Sequence, residues 1–159
     1  MSDRYQNLKE GIHTLNDHPH IWVIEQSHIY QSPAMYQIDQ DDFYNLVVEI
    51  DTNLTPVDLL TEIKNIERKA GRNLKNIQNM PRVIDIDILA IGDLQINSAL
   101  LKIPHPRISE RKFVLKPWAD IAPEFSLPDN SMTVSKLLEN TNDSSEIRMI
   151  LIVDKEDMN

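Results

Sequence analysis

The sequence contains no cysteine among its 159 residues. Disulfides and thiolate metal sites are excluded, and the composition fits an expected cytoplasmic location. Glycine is scarce, at positions 11, 71 and 92 only. No Gly-x-x-x-x-Gly-Lys-Ser/Thr loop can be built from these, so any phosphate must be held by metals and by Arg, Lys or His side chains. No Gly-x-Ser-x-Gly elbow is present to carry a serine nucleophile. There is no run of about 18 apolar residues, so no membrane-spanning helix is expected. The opening "MSDRYQNLKE" lacks a signal-peptide pattern. A net charge of −9 argues against a general nucleic-acid binder. Aromatic residues are few, at 6%, and Phe43 and Phe113 stand out because each borders a polar or charged loop. Either can be core, and either can stack on a flat ring.

Hydrophobic residues make up 41% of the chain and charged residues 26%, the balance of an ordinary globular domain with a real core. The charges are unevenly spread. Lys64 to Arg82 carries six Lys/Arg against one acid, Glu67, and Lys102 to Lys116 carries five against Glu110. From Pro117 onward there are nine acids and three bases. Cations gathered on both sides of an Asp pair in an acidic chain can build a local anion site, or can be solvated faces of loops and helices.

Apolar spacing outlines the elements. "SDRYQNLKEGIHTLND" reads as a helix with Tyr5, Leu8, Ile12 and Leu15 on one face. Ile21–Tyr30 and Phe43–Ile50 read as strands, joined by a loop over 31–42. Thr55 as N-cap, Pro56 at N1 and Asp58 at N3 predict a helix that Gly71 closes. Its apolar stripe is expected at Val57, Leu60, Ile63, Ile66 and Ala70. A polar basic loop precedes a third strand over Val83–Ile91. Gly92-Asp93 is a tight turn, with "LQI" (Leu94–Ile96) as the short partner of that strand. Short helices are expected near Ser109–Leu115 and over Met132–Asn140. Residues 141–159 read as a loose acidic tail behind a single domain of residues 1–140, with one apolar segment, "IRMILIV". The order helix-strand-strand-helix-strand matches an α+β, ferredoxin-like βαββαβ unit without its first strand.

The third strand carries the chemistry. Residues i and i+2 share a face, so Asp85 and Asp87 point one way and Ile84, Ile86, Ile88 and Ala90 the other. Two carboxylates this close repel, and a hard divalent cation removes the conflict. Mg²⁺ suits such a pair because it also accepts water and phosphate oxygens; a solvent-facing sheet edge is the alternative. Arg82 upstream, with His105, Arg107, Arg111 and Lys112 downstream, offers phosphate partners. His105 lies between Pro104 and Pro106, which restrict its backbone. "HPH" at 18–20 reads as a surface loop, and His13 and His28 as surface or packed residues.

The stretches "PRVIDIDIL" (Pro81–Leu89), "IPHPRISERKFVLKP" (Ile103–Pro117), "IYQSPAMYQIDQDDFYNLVVEI" (Ile29–Ile50) and "IERKAGR" (Ile66–Arg72) are collinear with one family. Over residues 3–130 the chain resembles hydroxymethyl-dihydropterin pyrophosphokinase of folate biosynthesis. The resemblance implies transfer of the β,γ-pyrophosphoryl group of ATP to the 6-hydroxymethyl oxygen of a dihydropterin, releasing AMP. It implies that Asp85 and Asp87 bind two Mg²⁺ ions, with Arg82 on the phosphates beside them. Glu67, Arg72, Ile88, Lys102, His105 and Arg111 are implied on the ATP side. Ser32, Pro33 and Met35 match the loop at the pterin edge, Phe43 and Phe113 the ring sandwich, and Asn45 its hydrogen-bonding amide. The expected partners are small molecules, with no nucleic acid and no membrane, and a monomer is expected.

The chain departs from the family pattern at Leu74, Gln78 and Asn79-Met80, where the family has an arginine, a basic residue and Trp-Gly. The loop over 73–80 is accordingly expected to be mobile without ligand. The chain also opens at the first helix, where the family has a strand ending in Gly-Ser-Asn. Val47, Ile50, Val83, Ile88 and Ile91 are expected to border the position of that strand, with "IRMILIV" or a neighbouring chain as a filler. Two other readings stand beside the pyrophosphokinase: a non-catalytic pterin- or nucleotide-binding module, and a metal-dependent phosphodiesterase. The last needs no ring pocket, so Phe43, Asn45 and Phe113 weigh against it.

Overall fold

The computed structural model describes residues 4–33, 43–71 and 84–150. Arg4–Asp17 form α1, and Gly11 and Leu15 are buried on its inner face. A Cβ on Gly11 would collide with Ile84 Cδ1, so the glycine lets α1 lie directly against the start of the aspartate segment.

The two long strands expected from alternation both bend. Ile21–Gln26 is β1 and Ile29–Ser32 is β2. Opposite them, Phe43–Asn45 is β3 and Val48–Thr52 is β4. β1 pairs antiparallel with β4, from Ile21 opposite Thr52 to Gln26 opposite Val48. β2 pairs with β3, from Tyr30 opposite Asn45 to Ser32 opposite Phe43. Buried Ser27 builds the corner between them. Its N–H donates to Val47 O at 2.9 Å, the Val47 N–H donates to Ser27 Oγ at 2.9 Å, and that hydroxyl donates to His28 O at 2.8 Å. A serine hydroxyl thus satisfies backbone groups that a straight ladder would have paired.

Pro56–Gly71 form α2, started by the Asp58 N–H on Thr55 Oγ1 at 3.2 Å. Its buried residues are Leu59, Ile63 and Ile66, while Val57 is 52% exposed. The expected stripe stepped in threes. At about 100° per residue that drift puts Val57 on the face opposite Ile66, whereas Leu59 lies almost above it. His18, at the end of α1, pairs with Glu62 of this helix at 3.0 Å.

The expected third strand is only partly a strand. Over Ile84–Ile88 the exposure alternates, with Asp85 and Asp87 exposed, yet Ile84–Ile91 belongs to no ladder among the described residues. Gly92, with φ +50°, starts the turn closed by the Leu94 N–H on Ile91 O at 3.0 Å. "LQI" does not return along the aspartate segment. Its Ile96 begins β5 (Ile96–Asn97), which pairs with β6 (Lys102–Ile103). A 3₁₀ turn over Ile108–Glu110 leads into α3, Lys112–Ile121. This helix runs past Pro117, since burial of Leu115, Pro117 and Trp118 outweighs the one missing N–H. Thr133 caps α4, Val134–Asn140, accepting the Lys136 N–H at 3.1 Å.

The result is a mixed α+β arrangement with two hydrophobic clusters. One joins Leu15, Ile21, Leu59, Ile63 and Ile66, with Ile86, Ile88 and Ile91 packed on it. The other joins Ile108, Leu115, Trp118, Leu127, Val134 and Leu137, with Leu89 and Ala90 packed on it. Ala90, expected beside Ile86 and Ile88, thus turns to the second cluster, because the alternation slips just before the turn.

Arg148–Ile150 form β7, antiparallel to β2 on the side away from β3. The described part of "IRMILIV" is thereby committed to β2 and does not fill a position beside β4. Residues 141–145 are also held against the domain. Thr141 Oγ1 donates to Ser109 O at 2.9 Å, and Asp143 Oδ2 accepts the Lys112 N–H at 3.0 Å. The α3 N-terminus is therefore capped from 31 residues away.

Burial raises the Asp143 carboxyl pKa. Hydrogen bonds from Ser145 and the Lys112 N–H, and the Lys112 charge, outweigh this and leave it below the usual value. A depressed folded pKa gives stability that is complete above the unfolded value, about 4, and is lost as pH falls through the folded value. Asp143→Ala is expected to cost about 1 kcal/mol at neutral pH. Melting curves across pH should show that gap narrowing below about pH 4.

Candidate functional site

The site is assembled around Ile84–Ile91. Glu67 reaches it from α2: its Oε1 accepts the Ile86 N–H at 2.8 Å, and Lys64 Nζ lies 3.4 Å from Oε2. The Glu67 side chain is only 9% exposed. The peptide between Asp85 and Asp87 is thus fixed from below, while both carboxylates face outward.

His105 flanks the same segment. It follows the cis Ile103–Pro104 peptide, and its N–H donates to Leu89 O at 2.9 Å. Burial lowers the pKa of its imidazole; Asp87 pulls the other way, and Arg111 and Arg107 reinforce burial. The net shift is downward, so the ring is neutral at pH 7. The Arg111 guanidinium lies 5.7 Å from the centroid of the Phe113 ring.

The hairpin supplies the other wall. Asn45 Nδ2 donates to Ser32 Oγ at 2.9 Å, which fixes the amide's orientation. Ser32 is buried, whereas Phe43, its neighbour across the ladder, is 51% exposed. Tyr30 ties this sheet to α3. Its hydroxyl contacts both Asp120 oxygens, at 2.9 and 2.8 Å, and burial and Asp120 together push the phenol pKa up.

A cavity of about 510 Å³ opens between these walls. Asn45, Asp85, Asp87 and Phe113 all line it, and Ile88 lies along its apolar part. The His105 ring feels the charges of both Asp87 and Arg111. Ser32 reaches the group only through Asn45. Lys102, on β6, and Pro33 are exposed, and neither they nor Phe43 line the cavity. Arg72, Arg82 and Met35 lie outside the described residues, as do Leu74, Gln78, Asn79 and the loop over 73–80. Asp120 and Asp143 were not legible as site supports. "NDSSE" reads as a local turn, and nothing nearby in sequence points to Lys112.

Among the described residues no group of three or more His, Asp or Glu could enclose a metal. Two exposed carboxylates on one face instead suit a hard cation that completes its shell with water and substrate oxygens. Mg²⁺ therefore fits the residues present. No described helix is long and apolar enough to cross a membrane.

Residues 1–123 match the family described as 7,8-dihydro-6-hydroxymethylpterin-pyrophosphokinase. The 2-amino-4-hydroxy-6-hydroxymethyldihydropteridine pyrophosphokinase of Pseudomonas aeruginosa is 34% identical over 129 residues, 81% of this chain and 79% of that protein. The protein of the same name from Bacillus subtilis is 37% identical over 121 residues, 76% of this chain and 72% of its own length. The folic acid synthesis protein FOL1 of Dictyostelium discoideum is 38% identical over 150 residues, 94% of this chain. This chain spans 22% of that relative and 16% of the folic acid synthesis protein of Pneumocystis carinii.

The charges around His105 give a test by NMR titration. Its midpoint is expected below the ordinary 6.5. Asp87→Asn should lower it further, by removing the anion that favours the imidazolium, and Arg111→Gln should raise it. An unchanged midpoint in Asp87→Asn would mean that the ring does not sense this carboxylate.

Proposed function

The chain belongs to the 7,8-dihydro-6-hydroxymethylpterin-pyrophosphokinase family, and we propose on that footing that it transfers pyrophosphate from ATP to 6-hydroxymethyl-7,8-dihydropterin and releases AMP. The observation that carries this reading is the meeting of Asp85, Asp87, Asn45 and Phe113 on one cavity. A carboxylate pair and a ring-and-amide pocket are the two halves such a transfer needs. A phosphodiesterase would need only the first.

In this reading Asp85 and Asp87 hold two Mg²⁺ ions. Bound Mg²⁺ would neutralise phosphate charge and acidify the pterin hydroxyl. The remaining work belongs to side chains. His105 offers a ring N–H to a phosphate oxygen, and Arg111, Lys102, Arg72 and Arg82 supply positive charge. Glu67 and Ile88 border the nucleotide. Asn45, oriented by Ser32, reads the pterin edge. Phe113 stacks on the ring, with Phe43, Pro33 and Met35 closing from the other side. No side chain has to act as general base; the chain positions the substrates and balances charge.

β4 pairs only with β1 among the described residues, and Ile84–Ile91 has no ladder. The cavity is bordered by both, over 45–50 and 84–92. We infer that a further strand belongs between them and completes a ferredoxin-like sheet. Extending the chain before Met1 by about ten residues of strand character ending in Gly-Ser-Asn is expected to raise the melting temperature and tighten pterin binding. No change in either would remove this reading.

The activity test follows AMP formation from ATP and the hydroxymethyl-dihydropterin. Asp85→Ala and Asp87→Ala should each nearly abolish it. Phe113→Ala should weaken pterin binding by about 1–3 kcal/mol while ATP binding changes much less. An Asp variant within about tenfold of the parent would sink the metal assignment.

A further inference from the structure

We propose that Glu67 is a positioning residue that sets the spacing and direction of Asp85 and Asp87; this rests on the reading of those two residues as metal ligands. A ligand pair needs a rigid frame, and the usual frame for alternate residues of an extended chain is a ladder on each side. The described residues give Ile84–Ile91 no ladder. Ahead of the Leu94 N–H that closes the turn on Ile91 O, two hydrogen bonds among the described residues anchor its backbone from outside. One is the His105 N–H on Leu89 O at 2.9 Å, beyond the aspartates. The other is the Ile86 N–H on Glu67 Oε1 at 2.8 Å, between them.

The second lies between the two aspartates and so bears on the angle between their carboxylates. The Asp85–Ile86 peptide plane carries this N–H, so rotation of that plane would turn Asp85 away from Asp87 and break the bond. Glu67 is itself held. It lies on a buried stretch of α2 beside Ile63 and Ile66, and Lys64 steadies its second oxygen at 3.4 Å. With a side chain 9% exposed, it has little freedom to leave. The carboxylate thus takes the place of a neighbouring strand as the acceptor for Ile86. It also adds a negative charge beneath the cation site.

Two substitutions separate those contributions. Glu67→Gln keeps an acceptor of the same reach without the charge, and Glu67→Ala removes both. Three quantities are measured: exchange of the Ile86 amide in the ligand-free protein, Mn²⁺ binding by paramagnetic titration, and the Mg²⁺ dependence of AMP release. In Glu67→Ala the Ile86 amide should exchange at least about tenfold faster, and Mn²⁺ affinity should fall by about 10–100-fold. The Mg²⁺ needed for half-maximal rate should rise in step, with KM for the pterin nearly unchanged. Glu67→Gln should restore Ile86 protection and most of the affinity. Unchanged Ile86 exchange in Glu67→Ala would overturn the proposal, as would equal loss of Mn²⁺ affinity in both variants with Ile86 still protected. If the parent binds Mn²⁺ but forms no AMP, the assigned activity fails and the first two measurements still decide the role of Glu67.

Discussion

The run from Ile84 to Ile91 must stay extended, because two cores and an acidic site are all built on it. Ile86 and Ile88 feed the cluster under α1 and α2, and Leu89 and Ala90 feed the one against α3 and α4. Asp85 and Asp87 leave on the exposed side. A period of two over Ile84–Ile88 parts the aspartates from the isoleucines, and its slip at Leu89–Ala90 delivers both of those to the second cluster. A helix over the same residues would place Asp85 on the face of Ile88 and Leu89, and would bury a carboxylate at a cost no neighbour offsets. Gly11 is part of the same constraint. A Cβ there would collide with Ile84 Cδ1 and force that side chain to turn aside.

Much of this was legible in the sequence, and the failures have local physical causes. Thr55, Pro56 and Asp58 marked the start of α2 because capping chemistry is local. Asp85 and Asp87 stood out because carboxylates in an apolar run demand a reason. The corner between β1 and β2 was invisible, because Ser27 makes it by bonding across the hairpin to Val47, twenty positions away. Hydropathy over Ile21–Tyr30 reads as one strand whether or not that bond exists. β7 was hidden for a similar reason: an apolar tail segment does not announce which edge it will join. In α2 the residue types were read correctly and the phase was not. Leu59 carries the burial assigned to Leu60 and Val57.

The corner also explains how a hairpin can serve both core and site. β1 and β4 stay with the first cluster, where Ile21 is fully buried. Beyond Ser27 the pair changes direction, and β2 sets Ser32 against Asn45 of β3, which lines the cavity. Tyr30 then locks that half to Asp120 on α3, the helix that carries Phe113. Two walls from distant parts of the chain are thereby held at a fixed separation. A flat ring accepted between them would meet groups already oriented, and little would be lost in ordering them on binding.

α3 poses the last difficulty. A helix N-terminus carries partial positive charge, and cations placed there are unfavourable. This helix starts with Arg111 and Lys112, just after Arg107, and Arg111 makes no side-chain capping bond. Glu110 offsets Arg107 at 3.3 Å, but that pair is exposed and worth little. The compensation comes from Asp143, whose carboxylate takes the Lys112 N–H, while Lys112 Nζ donates to Ser145 O. Residues that read as the beginning of an acidic tail therefore perform the capping that Arg111 cannot. The cations are kept at a place where the helix alone would reject them. Such an arrangement is stable only because acidic chain is brought to it, and it leaves the Arg111 side chain free of the capping task and directed over Phe113.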